Sequence, residues 1–241
     1  MISTIDDIHL VLSTGEYRAL VIGSNGAIGN AFANAFAADS SCINVCRISR
    51  SLNTGFDLLD EKSIHKQAEI SRTSGPYQII VDATGVLTID GIGPEKSLAS
   101  INHETMTKNF QINAIGPALI LRYFAGLLAT GPSIYAKLSA RVGSISDNQK
   151  GGWYGYRAAK AALNMLLQTA SIELQRKNPE LRVVALQPGT VRSKLSNSFA
   201  SSVPHFLEPE ESVAGMLNVM RNLSQKKGAH YVDYKGQPID W

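Results

Sequence analysis

Cysteine is scarce: the 241-residue chain has two, Cys42 and Cys46. Four apart in one strand-like run, they share a face but stand too far apart to bridge. The C-x-x-C spacing of redox and zinc motifs is missing, so the expectation is reduced thiols in a cytoplasmic protein. No apolar run approaches the length that spans a bilayer, and no membrane partner is expected. Asp6 and Asp7 stand where an export signal carries basic and then apolar residues, so export is not expected. Charge of one sign is not gathered into runs. The 23 Lys+Arg against 20 Asp+Glu give +3, which is too small and dispersed for a dedicated nucleic-acid binder. The five histidines (His9, His65, His103, His205, His230) form no metal-ligand spacing, and no metal site is expected. No repeat, low-complexity tract or Pro/Gly/Ser-rich linker divides the chain. With 44% hydrophobic and 18% charged residues it reads as one globular domain over 1–241, residues 1–16 forming an N-terminal extension.

What the chain does have is alternation. Short apolar runs at 17–22, 43–48, 78–83, 133–139, 181–187 and 229–234 read as strands. Helical patterns lie between them at 28–38, 61–71, about 103–128, 154–176 and 209–224. Continuous apolar strands separated by helices mean βαβ units. The fold class is α/β, a single-domain doubly wound parallel sheet with helices on both faces. Ligands of such sheets bind at the carboxyl ends of the strands.

Gly23-Ser24-Asn25-Gly26-Ala27-Ile28-Gly29 joins the first strand to the first helix. Glycines there permit a tight turn and let backbone N–H groups approach a pyrophosphate at the positive helix end. After the second strand, where a carboxylate would select NAD, the chain has Arg47-Ile48-Ser49-Arg50-Ser51 and no acid before Asp57. Arg50, with Arg47 beside it, suits a 2′-phosphate, so NADP(H) is expected in preference to NAD(H). Tyr156 and Lys160 lie four apart on one helix, which sets phenol and ammonium side by side. A cation there is expected to lower the tyrosine pKa and make it a general acid for a carbonyl.

These motifs resemble the short-chain dehydrogenase/reductase family, over nearly everything from Arg18 to Trp241, and within it the C-factor-like and sniffer-like carbonyl reductases. The finer likeness rests on residues 143–148, 151–157 and 233–241. The resemblance implies a Rossmann fold. It implies cofactor contacts at Gly23, Ser24, Asn25, Ala27, Ile28, Gly29, Arg50, Asp57, Leu58, Ala83, Thr84, Gly85, Pro188, Gly189, Val191 and Ser193. Ala27 replaces the family's middle glycine, Asp82 its first asparagine in Asn-Asn-Ala-Gly, and Ser193 its usual threonine. Asn113 matches the catalytic asparagine. Gly116-Pro117 follows it, and the resemblance implies that the resulting kink frees the Asn113 carbonyl to hold a water near the lysine. The catalytic serine position falls on Ala140; Ser139 and Ser144 are the two candidates to replace it.

The expected activity is NADPH-dependent reduction of a ketone or aldehyde to an alcohol. Tyr156 is the proton donor, assisted by Lys160 and Asn113. The alternative is a dinucleotide-binding regulatory or signalling protein with little turnover. No Gly-x-Ser-x-Gly elbow marks a hydrolase. The resemblance implies a homodimer or homotetramer whose long helix contributes Met106, Phe110, Ile115, Leu119 and Phe124 to core and interface. It also implies a substrate lid at 194–208, with Phe199, Phe206 and Leu207 closing on an apolar substrate.

Overall fold

Six strands, each short and apolar, pair into one all-parallel sheet in the order β2-β1-β3-β4-β5-β6. They are β1 (Tyr17–Ile22), β2 (Cys42–Ile48), β3 (Ile79–Asp82), β4 (Ser133–Leu138), β5 (Leu181–Gln187) and β6 (His230–Asp233). The computed structural model describes residues 15–193, 195–196 and 205–241. Most of the N-terminal extension and the middle of the expected lid, Phe199 included, lie outside the described residues.

Side chains alternate across each strand, and both faces are covered. On one face Val21, Val81, Ala136 and Val184 pack under α1 (Ala27–Ala38) and α6 (Pro209–Arg221). On the other, Leu20, Ile80, Tyr135 and Val183 pack under α2 (Glu61–Arg72), α4 (Gly116–Phe124) and α5 (Tyr154–Leu174). Strand order reverses between β1 and β3, and in such sheets the ligand crevice lies at the carboxyl ends of these strands.

The long helical pattern is one helix with a fault. It begins as α3 (His103–Phe110), widens into a π turn over Gln111–Ile115 and continues as α4. The Gly116 N–H reaches back five residues to Gln111 O. Pro117 has no N–H, so the residue that would donate to the Asn113 carbonyl in an α-helix cannot do so. The expected irregularity is therefore a widened turn ahead of the proline, a form that π bulges take at functional sites. Along the apolar stripe Phe124 is core, whereas Ile115 is exposed. Cys42 and Cys46 are free thiols on β2. Among the described residues no helix is long and apolar enough to cross a membrane, and no group of three metal-ligating side chains occurs.

Candidate active site

The glycine turn is closed by main chain. Gly23 N and Ser24 N both donate to Ile48 O, at 2.8 and 3.1 Å, and Gly26 N donates to Gly23 O at 3.0 Å. A Cβ on Gly29 would lie 2.8 Å from the Gly23 carbonyl carbon and closer still to its oxygen, so only glycine lets α1 start this near β1. Gly26 is the N-cap with no side-chain cap, and the first turn of α1 carries no acid. The amides of Ala27 and Ile28 thus open onto the crevice as a backbone anion site. Gly23 also abuts Ala83, the residue after β3, so the two loops at the switch point touch.

A tight turn follows β2. Ser49 N donates to Asn53 Oδ1 (3.0 Å) and Leu52 N to Ser49 Oγ (3.2 Å), leaving Arg50 exposed at the tip. Arg47 is not at the same tip: its guanidinium lies across α1, bonded to Asn34 Oδ1 (2.9 Å) and Asn30 Oδ1 (3.5 Å). Asp57 Oδ1 accepts from Leu59 N (3.0 Å) and Asp57 N donates to Ser63 Oγ (2.9 Å), which fixes the turn into α2. Leu58 is half-buried against the core beside it.

Tyr156, Lys160 and Asn113 are all buried. Lys160 Nζ lies 5.6 Å from the Tyr156 ring centroid and donates to Leu138 O at 3.2 Å. Asn113 Oδ1 accepts from Val86 N (3.0 Å), and its Nδ2 donates to Val86 O (2.9 Å) and Asn109 Oδ1 (2.8 Å), pinning the loop that follows Gly85. Gly85, at φ +149°, is the meeting point: a Cβ there would stand 3.2 Å from Asn113 Oδ1 and 3.5 Å from Lys160 Nζ.

Electrostatics correct one expectation. Burial raises the Tyr156 pKa, with the Tyr231 phenol adding to it, and keeps the phenol protonated; Lys160 does not pull it down. Lys160, itself depressed by burial, has lost its charge at the pH where a phenol ionises, so it offers the phenolate no cation. Burial first, and the Lys137 charge second, bring Lys160 itself down to about 7, against an opposing pull from Asp82.

Neither candidate serine is free. Ser139 Oγ donates to Asn164 Oδ1 at 2.7 Å, on the face covered by α5. Ser144 Oγ accepts from Asp147 N at 3.0 Å. Ala140 offers only its carbonyl, which accepts from Tyr231 Oη at 2.7 Å. At the far wall Pro188 O accepts from Ser212 Oγ (2.6 Å), and Ser193 N donates to Ser196 Oγ (3.0 Å). Leu207 is tied to the segment after β5. Leu207 N donates to Thr190 O and Arg192 N to Leu207 O, both at 2.9 Å, and Val191 pairs with Leu207.

Sequence reasoning missed two parts. Glu95 is buried; its Oε2 accepts from Gly155 N (3.0 Å) and its O from Trp153 N (2.5 Å), capping the helix that carries Tyr156. No motif marks it. Asp82 and Lys137 form a fully buried pair, and a lone charge in each of two apolar strands was the available signal.

A glycine turn between strand and helix at a switch point, with a buried tyrosine, lysine and asparagine at the neighbouring strand ends, belongs to a doubly wound, Rossmann-like α/β fold. The short chain dehydrogenase family model matches residues 17–203, and the chain belongs to that oxidoreductase family. It is 32% identical over 170 residues to C-signal of Myxococcus xanthus, covering 70% of this chain and 95% of that protein. It is 26% identical over 188 residues to 1-hydroxy-2-glutathionyl-2-methyl-3-butene dehydrogenase of a Rhodococcus species, 78% of this chain and 79% of that one. Among solved structures it resembles the carbonyl reductase Sniffer of D. melanogaster (TM-score 0.77, 20% identity, 94% of this chain and 100% of that one). It also resembles an NADPH-bound carbonyl reductase from chicken fatty liver (TM-score 0.78, 22% identity, 97% of each).

Proposed function

We propose that the protein is an NADPH-dependent carbonyl reductase. The observation that carries this reading is the convergence of Tyr156, Lys160, Asn113 and Gly85 at the carboxyl ends of the central strands, beside the open amides of α1. Those residues fit a nicotinamide dinucleotide. The turn from Gly23 to Gly29 would hold the pyrophosphate and Arg50 the 2′-phosphate. Asp57, Leu58, Ala83 and Thr84 would line the adenine side, and Pro188, Gly189, Val191 and Ser193 the nicotinamide side. The cofactor supplies the hydride. The protein's part is the proton and the geometry.

Tyr156 Oη gives its proton to the carbonyl oxygen, and burial keeps that proton in place until the oxygen becomes basic. Lys160, near its midpoint at neutral pH, replenishes it. Asn113, its side chain fixed on Val86, leaves its main-chain carbonyl at the π turn for a water that feeds Lys160. With Ala140 in the serine position, the developing oxyanion has one hydroxyl donor fewer, worth about 3–4 kcal/mol in comparable sites. The test is oxidation of NADPH with a panel of aldehydes and ketones, and Ala140→Ser should accelerate it.

Ala140 also favours a second reading, a dinucleotide-binding regulatory protein with little turnover, which predicts tight NADPH binding without consumption. The exposed Ile115 on the π turn and Met165 and Leu166 on α5 support a homodimer or homotetramer, which sedimentation at micromolar concentration would register. Free thiols fit a reducing, cytoplasmic setting.

A further inference from the structure

Asp82 ends β3 and Lys137 lies on β4, and the parallel register sets them side by side. Both side chains are fully buried, with Lys137 Nζ 3.0 Å from Asp82 Oδ1. Lys137 Nζ also donates to Thr84 O (2.6 Å) and Thr84 Oγ1 (3.0 Å). Asp82 Oδ1 accepts from Thr84 N (2.9 Å) and Thr84 Oγ1 (2.6 Å). The pair therefore grips Thr84 by its amide, carbonyl and hydroxyl. The next residue, Gly85, is the one against which Asn113 and Lys160 close.

Buried ion pairs are poor stabilisers, since their desolvation roughly cancels their attraction. Asp82 Oδ2 and the nearby Tyr135 hydroxyl have no hydrogen-bond partner, so this pair is not even fully satisfied. Apolar residues of similar volume often replace such pairs without loss of stability. A role toward the neighbouring site accounts for the charges.

We propose that Asp82 and Lys137 are positioning residues for Lys160: they clamp the Thr84–Gly85 turn against it and hold a second cation behind it. The proposal rests on reading Lys160 as the site lysine. Three charged or titratable groups surround that ammonium: Lys137 on β4, Asp82 on β3 and Tyr156 on its own helix. The effect of Lys137 exceeds that of Asp82, and both act on a group already depressed by burial. A lysine poised near neutrality both accepts and passes on a proton, which an ordinary lysine does poorly at that pH.

The test is a pH titration of Lys160 by NMR of ¹³C-lysine-labelled protein, following the ε-carbon that disappears in Lys160→Met. It uses neither cofactor nor substrate, so an inactive carbonyl panel leaves it untouched. Wild type should titrate near 7. In Asp82→Asn/Lys137→Met, which removes both charges together, the midpoint should rise by roughly one pH unit. In Lys137→Met alone, which removes the repelling cation and leaves the Asp82 attraction, it should rise as well. The single variant keeps Asp82 for Thr84 and serves if the double variant does not fold. A folded variant whose midpoint stays put or moves the opposite way overturns the proposal. So does a wild-type Lys160 that titrates with the surface lysines.

Discussion

The two halves of the crevice are made of different material. At the end of β1 the chain presents main chain: a glycine turn, open amides and no functional side chain until Arg50. At the ends of β3 and β4 it presents side chains, with Tyr156, Lys160 and Asn113 buried and held by neighbours that do not react. Backbone donors bind an anion with little tuning, so that half tolerates no added atom. Side chains in a desolvated pocket have pKa values that neighbours move, so that half is sensitive to charge several ångströms away.

Four substitutions sharpen this contrast. Tyr156→Phe should lower turnover by about 10³-fold, with NADPH affinity within about twofold, because only the general acid is lost. Stopped-flow oxidation of NADPH alongside fluorescence titration separates the two quantities. Gly29→Ala should act in reverse, weakening cofactor binding and costing about 1–3 kcal/mol of stability through the clash with Gly23. Retention of wild-type affinity would refute a main-chain anion site. Arg50→Ala should weaken NADPH by about 10- to 100-fold, the strength of a hydrogen bond to a charged group, and leave NADH unchanged. Glu95→Ala removes the cap of α5 and should lower stability by about 1 kcal/mol in denaturant titration.

A fifth concerns pH. Lys160 binds its proton less tightly folded than unfolded, so between about 7 and its unfolded value the unfolded state holds more protons. The contribution of Lys160 therefore makes the protein more stable as pH rises through that window. Lys160→Met should be more stable than wild type at pH 7, and the difference should shrink toward pH 10.

Much of this was legible in the sequence, and unevenly so. The strands and helices follow from apolar runs and their spacing, and β1 and β5 fall where the pattern puts them, at Tyr17–Ile22 and Leu181–Gln187. The glycine turn is legible because its geometry admits one residue type. Lys137 reaches Thr84 from 53 positions away, and Glu95 caps a helix 60 positions on. Such contacts depend on strand register and loop path, which local pattern does not encode. The direction of the Tyr156 shift escaped as well. Helical spacing sets the lysine beside it, but only the packed structure reveals how fully both are cut off from water.

The most direct test of the central claim is NADPH fluorescence titration followed by absorbance at the reduced-nicotinamide band with a carbonyl panel. NADPH should bind more tightly than NADH and be consumed with at least one ketone or aldehyde, and Tyr156→Phe should bind without consuming. Consumption by Tyr156→Phe at the wild-type rate, or binding of neither nucleotide, would contradict the account.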